Sequence, residues 1–105
     1  MTPEELKVVL KKYSLTLLYF STPSCTVCKV LRPKVEALVA AEPPWYFQYI
    51  NTEASLEIAG QLLIFAVPTI LLMVEGREVT RLSRHFGLQE LEGPIRRYAQ
   101  TFNDN

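Results

Sequence analysis

Apolar positions recur along this chain with two different periods. Leu6, Val9, Leu10 and Tyr13 return at helical spacing, with Lys7, Lys11 and Lys12 between them. Thr2-Pro3-Glu4-Glu5 reads as the start of that helix: Thr2 caps, Pro3 fits the first helical position and Glu5 completes a capping box. Leu15-Thr-Leu-Leu-Tyr-Phe20 is too short for a helix and has no polar face, so it predicts a buried strand. Ser21-Thr22-Pro23-Ser24 is a turn. Helical spacing resumes from about Cys25 to Ala41, with Leu31, Val35 and Leu38 expected inside and Pro33 expected to kink the helix. Glu42-Pro43-Pro44 ends it, and the aromatic run Trp45 to Asn51 reads as a second strand. A further helix is expected from Glu53 to about Leu63, with Leu56, Ala59 and Leu63 on one face. Thr69 to Glu75 is a second buried strand, which Glu75-Gly76-Arg77 turns into a hairpin partner over Arg77 to Ser83. Gly87 precedes a last helix with the stripe Leu91, Ile95, Tyr98 and Phe102, delayed or bent by Gly93-Pro94.

The resulting order is α-β-α-β-α-β-β-α, an α/β arrangement. Right-handed crossovers give a four-stranded mixed sheet with helices on both faces and an N-terminal helix. Residues 1–105 suit one domain, and 49% apolar residues suffice for a core without disulfide staples. The formal net charge is zero, which argues against nucleic acid or an anionic membrane as the main partner. No apolar run is long enough to span a bilayer. The acidic start Met1-Thr-Pro-Glu-Glu5 lacks the basic and apolar regions of a signal peptide, so a cytoplasmic setting is expected.

The chemistry lies in Cys25-Thr26-Val27-Cys28, which holds both cysteines of the chain. In the cytoplasm thiols are mostly kept reduced, so a lone pair is expected to be catalytic rather than structural. Cys-x-x-Cys between a buried strand and a helix reads as a dithiol redox site. A sulfur at a helix N-terminus faces unpaired N–H groups and the positive end of the dipole, which stabilise its thiolate. The second sulfur lies one turn along the same face, within disulfide reach. Thr26 could donate to the Cys25 thiolate, and Lys29 and Arg32 could favour it electrostatically. Two readings from other classes stay open: a binding module whose cysteines act at most as a redox sensor, and a dimer holding zinc or an iron–sulfur cluster between two Cys25/Cys28 pairs. A metal site within one chain is not expected, because the only further ligand of that kind is the distant His85. No cofactor is implied.

Element order, the Cys-x-x-Cys after the first buried strand, Lys29, Pro33, Val67-Pro68-Thr69 and Gly87 together resemble the thioredoxin family over roughly Leu15 to Phe102. That resemblance implies a thioredoxin-like fold and a thiol–disulfide oxidoreductase acting on protein disulfides. Cys25 would be the exposed nucleophile and Cys28 the resolving thiol, with a thioredoxin reductase or another thiol reductant as electron donor. It implies a cis Val67–Pro68 bond, with the backbone of Ala66 and Val67 beside Cys25, where a substrate segment can pair as an added strand. Ser24, Thr26, Val27 and Gly87 complete the implied substrate surface. The chain departs from the family in carrying Ser24-Cys-Thr-Val-Cys28 for Trp-Cys-Gly-Pro-Cys, Tyr19 for a buried acid, and Leu63 for a usual glycine.

Overall fold

A computed structural model describes residues 1–103. Helix α1 (Pro3–Lys12) opens on the expected capping box: Thr2 Oγ1 accepts the Glu5 N–H at 3.1 Å and the Glu5 carboxylate accepts the Thr2 N–H at 2.8 Å. Those bonds hold the Glu5 carboxyl below its ordinary value. Strand β1 (Leu15–Ser21) is buried along its whole length, as a central strand must be. Helix α2 (Thr26–Ala40), β2 (Tyr46–Asn51), α3 (Leu56–Gln61), β3 (Thr69–Val74), β4 (Arg77–Ser83) and α4 (Gln89–Asn103) follow. The sheet order is β2-β1-β3-β4, with β1 parallel to β2 and the other pairs antiparallel.

The two-residue period of the strands sorts side chains onto two faces. Leu15, Leu17 and Tyr19 of β1, with Ile70 and Leu72 of β3, pack against Cys28, Val35, Leu38 and Val39 of α2 and Leu91, Ile95 and Ala99 of α4. Leu18, Phe20, Leu71 and Met73 face the opposite way, onto Leu6 of α1 and Ile58 of α3. Trp45 closes the first layer by donating its indole N–H to the Ile95 carbonyl at 2.8 Å. The Glu75-Gly76 turn has positive φ at both residues (51° and 78°), the geometry that matches the twist of a two-residue hairpin.

Several expectations need correction. Helix α3 is shorter than expected, because Asn51 builds a turn ahead of it: its Oδ1 accepts the Glu53 N–H and its carbonyl the Ala54 N–H. Its inward face is also different. Leu56 and Leu63 are 73% and 58% exposed, and the buried residue is Ile58, with Leu62 one turn on. Leu63 cannot continue the helical face because its backbone is left-handed, φ 56°. Leu31 packs at the rim of its layer, whereas Cys28 and Val39 lie inside. Helix α2 runs through Pro33 as expected, whereas α4 begins ahead of Gly93-Pro94 and is not delayed by it. Each proline leaves one helical acceptor without its N–H donor and does not end the helix.

Candidate active site

The site forms where β1 ends and α2 begins. The Cys25 N–H donates to the Thr22 carbonyl at 3.2 Å, closing the turn, and Cys25 becomes the N-cap of α2 with extended backbone. An N-cap side chain normally offers oxygen to an orphan N–H. Here the Cys25 sulfur takes that place and accepts the Cys28 N–H at 3.2 Å. The donor is thus Cys28 rather than Thr26, which is exposed like Ser24 and Val27. Cys25 and Cys28 are joined as a disulfide, with Cα atoms 5.2 Å apart. The two sulfurs are placed unequally: Cys25 is half-buried at the rim, and Cys28 is fully buried in the layer beneath.

Tyr19 supports Cys28 from below. The β1 alternation points it at α2, and its hydroxyl donates to the Cys28 carbonyl at 2.6 Å. Burial pushes its phenol up from 10.0 to about 12, partly offset by the Arg32 charge. Tyr19 is therefore a neutral hydrogen-bond donor and no base. Arg32 lies over the Tyr49 ring at 4.1 Å and the Phe47 ring at 5.7 Å, and pairs with Glu36 at 2.7 Å. Its charge is held on β2 and α2, while Lys29 is exposed. The sequence identified Tyr19 only as a missing acid. Its role as an anchor, and that of Arg32 as an aromatic-stacked cation, required the sheet register and were missed.

The facing wall is the loop before β3. Thr69 pairs with Phe20 at the end of β1, which brings residues 66–68 beside the Cys25 turn. The Val67–Pro68 bond is cis, as is Pro43–Pro44. Thr69 Oγ1 donates to the Ala66 carbonyl at 2.7 Å, and the Arg84 N–H donates to the Pro68 carbonyl at 2.8 Å. Pro68 has no N–H to offer. Among the described residues, the N–H and carbonyl of Val67 remain without a hydrogen-bond partner. The Gly87 N–H donates to Glu90 Oε2 at 2.6 Å, at the start of α4. His85 is exposed. Among the described residues, no group of three or more His, Cys, Asp or Glu side chains is gathered to hold a metal, and no helix is long and apolar enough to cross a membrane.

The thioredoxin family model matches residues 1–97. The chain is 31% identical to the thioredoxin-like protein YdfQ of Bacillus subtilis over 88 residues, covering 84% of this chain and 79% of that protein. It is 32% identical to a thioredoxin of Chlamydia trachomatis over 82 residues, 78% of each chain. The crystal structure of Fasciola hepatica thioredoxin superposes with a TM-score of 0.83 at 28% identity, covering 91% of this chain and 93% of that one. With its Cys25–Cys28 pair at the head of α2, the chain belongs to the thioredoxin family and is a thiol–disulfide oxidoreductase.

Proposed function

We propose that the protein reduces disulfide bonds of other proteins, with Cys25 as nucleophile and Cys28 as resolving thiol. The unequal placement of the two sulfurs carries this assignment, since only Cys25 lies at the rim where a substrate sulfur can approach. In the reduced protein the Cys28 N–H and the α2 dipole stabilise a Cys25 thiolate. That thiolate attacks one substrate sulfur, the substrate S–S bond breaks, and the departing thiolate takes a proton from water. Cys28 then gives its proton to water and attacks the Cys25 sulfur, the mixed disulfide breaks, and the second substrate thiolate leaves. The substrate gains two electrons and the protein ends as the Cys25–Cys28 disulfide. A thioredoxin reductase or another thiol reductant returns the two electrons with two protons. The open Val67 N–H and carbonyl pair with an extended substrate segment across the Ala66–Pro68 loop, with Ser24, Thr26, Val27 and Gly87 around it. We place this chemistry in the cytoplasm, where thiol pools favour reduction.

Reduction of insulin by the dithiothreitol-primed protein tests the assignment. Turnover is expected in the wild type and is lost in Cys25→Ser; equal turnover in both would overturn it. One observation favours a second reading, a binding or redox-sensing module without turnover: the polar side chain that reaches Cys28 is a phenol donor and not a base. Absence of insulin turnover together with partner capture that survives Cys25→Ser would support that module.

A further inference from the structure

Phe65 is 87% exposed, more than any other large apolar side chain described, and it stands two residues before the open Val67 backbone. Its exposure is imposed by its neighbours. Ile64 donates its N–H to the Ala59 carbonyl at 2.8 Å and packs on the α1/α3 layer, while Val67 packs on the opposite layer. Between these two anchors the Phe65 ring is turned to solvent. It borders a pocket of about 200 Å³ formed by Thr22, Thr52, Ile64, Phe65, Ala66 and Val67. Thr22 is the residue whose carbonyl accepts the Cys25 N–H, so the pocket is continuous with the redox turn. None of its lining side chains is charged. At the start of α2, Val27 is 64% exposed.

Resting on the disulfide chemistry proposed above, we infer that Phe65 is a specificity-determining residue that selects substrate segments with a bulky apolar side chain next to the reacting cysteine. An extended segment paired with Val67 places successive side chains about 3.3 Å apart along the loop and on alternate faces. A residue adjacent to the substrate cysteine therefore reaches the pocket while the cysteine meets Cys25. The pocket holds one aromatic or branched aliphatic side chain, which gains by leaving water and by ring packing on Phe65. A charged side chain there would lose hydration with no partner of opposite sign.

The test uses two peptide disulfides that differ only in the residues flanking cysteine, phenylalanine in one and aspartate in the other. kcat/KM is measured for wild type, Phe65→Ala and Phe65→Tyr, with hydroxyethyl disulfide as a substrate too small to use the pocket. Wild type is expected to prefer the phenylalanine peptide by about tenfold. The preference is expected to fall at least severalfold in Phe65→Ala and to persist in Phe65→Tyr. Equal use of both peptides by wild type, or an unchanged preference in Phe65→Ala, would overturn the role of Phe65 alone. Failure of wild type to reduce hydroxyethyl disulfide would overturn the dithiol chemistry and this inference with it.

Discussion

At the scale of single residues, Tyr19 decides what kind of support the buried cysteine receives. A carboxyl group in that position could accept a proton from Cys28, whereas the phenol holds the Cys28 carbonyl and stays neutral. Its raised pKa fixes the direction of a pH effect. The neutral form is favoured in the folded state, so this contribution is complete below pH 10.0 and is lost as pH rises through about 12. Tyr19→Phe should remove that alkaline step and cost about 1 kcal/mol at neutral pH, read from the urea midpoint. It should leave the pH dependence of disulfide reduction between neutrality and pH 9 unchanged in shape, because no proton of Tyr19 moves there. A second expectation concerns the sulfurs. After reduction, iodoacetamide should modify Cys25 at least about tenfold faster than the fully buried Cys28, as mass spectrometry of the two peptides would show. Equal rates would place both thiols at the surface.

At the scale of elements, the short helix α3 is the segment that sequence periodicity describes least well. Leu56, Ala59 and Leu63 share a helical face on paper, yet a six-residue helix followed by a left-handed Leu63 presents Ile58 and Leu62 to the core instead. Spacing could not show this, because it assumes that the helix continues. The resemblance to thioredoxins did hold the signal, because it implies a glycine where this chain has Leu63. A left-handed leucine that is 58% exposed gives up little burial on replacement. Leu63→Gly should therefore raise stability by about 1 kcal/mol, measured by chemical denaturation. Arg81 on β4 ties down the same turn, donating to the Leu62 and Leu63 carbonyls at 2.7 and 3.0 Å while pairing with Glu78 at 2.9 Å. Arg81→Ala should cost about 1 kcal/mol. Its hydrogen bonds with Arg81 hold the Glu78 carboxyl below its ordinary 4.5, so the ion-pair share is present above that value and lost as pH falls through the lowered pKa. The difference between variant and wild type should accordingly narrow in acid.

At the scale of the whole molecule, the architecture was legible because strands and helices carry different periods, and because the capping box, the Cys-x-x-Cys turn and the Glu75-Gly76 turn punctuate them. The Cys-x-x-Cys was legible for the same reason, since it sits at an element boundary, whereas the Val67–Pro68 loop entered through the resemblance to thioredoxins. What joins elements distant in sequence was not. The contact of Tyr19 with Cys28, the stacking of Arg32 on Tyr49 and the pocket beside Phe65 all depend on strand register and on which way a loop side chain is forced to face. The fold brings a capped helix start, a buried second sulfur and an open backbone edge to one end of the sheet, and that convergence supports the division of labour between Cys25 and Cys28. The most direct test is trapping. Cys28→Ser and Cys25→Ser variants, each reduced and then mixed with a disulfide-bonded protein substrate, are analysed by mass spectrometry without reductant. Cys28→Ser should accumulate a mixed disulfide through Cys25 that dithiothreitol releases, and Cys25→Ser should accumulate none. An adduct on Cys28 in the Cys25→Ser variant, with none on Cys25 in the other, would contradict the assignment.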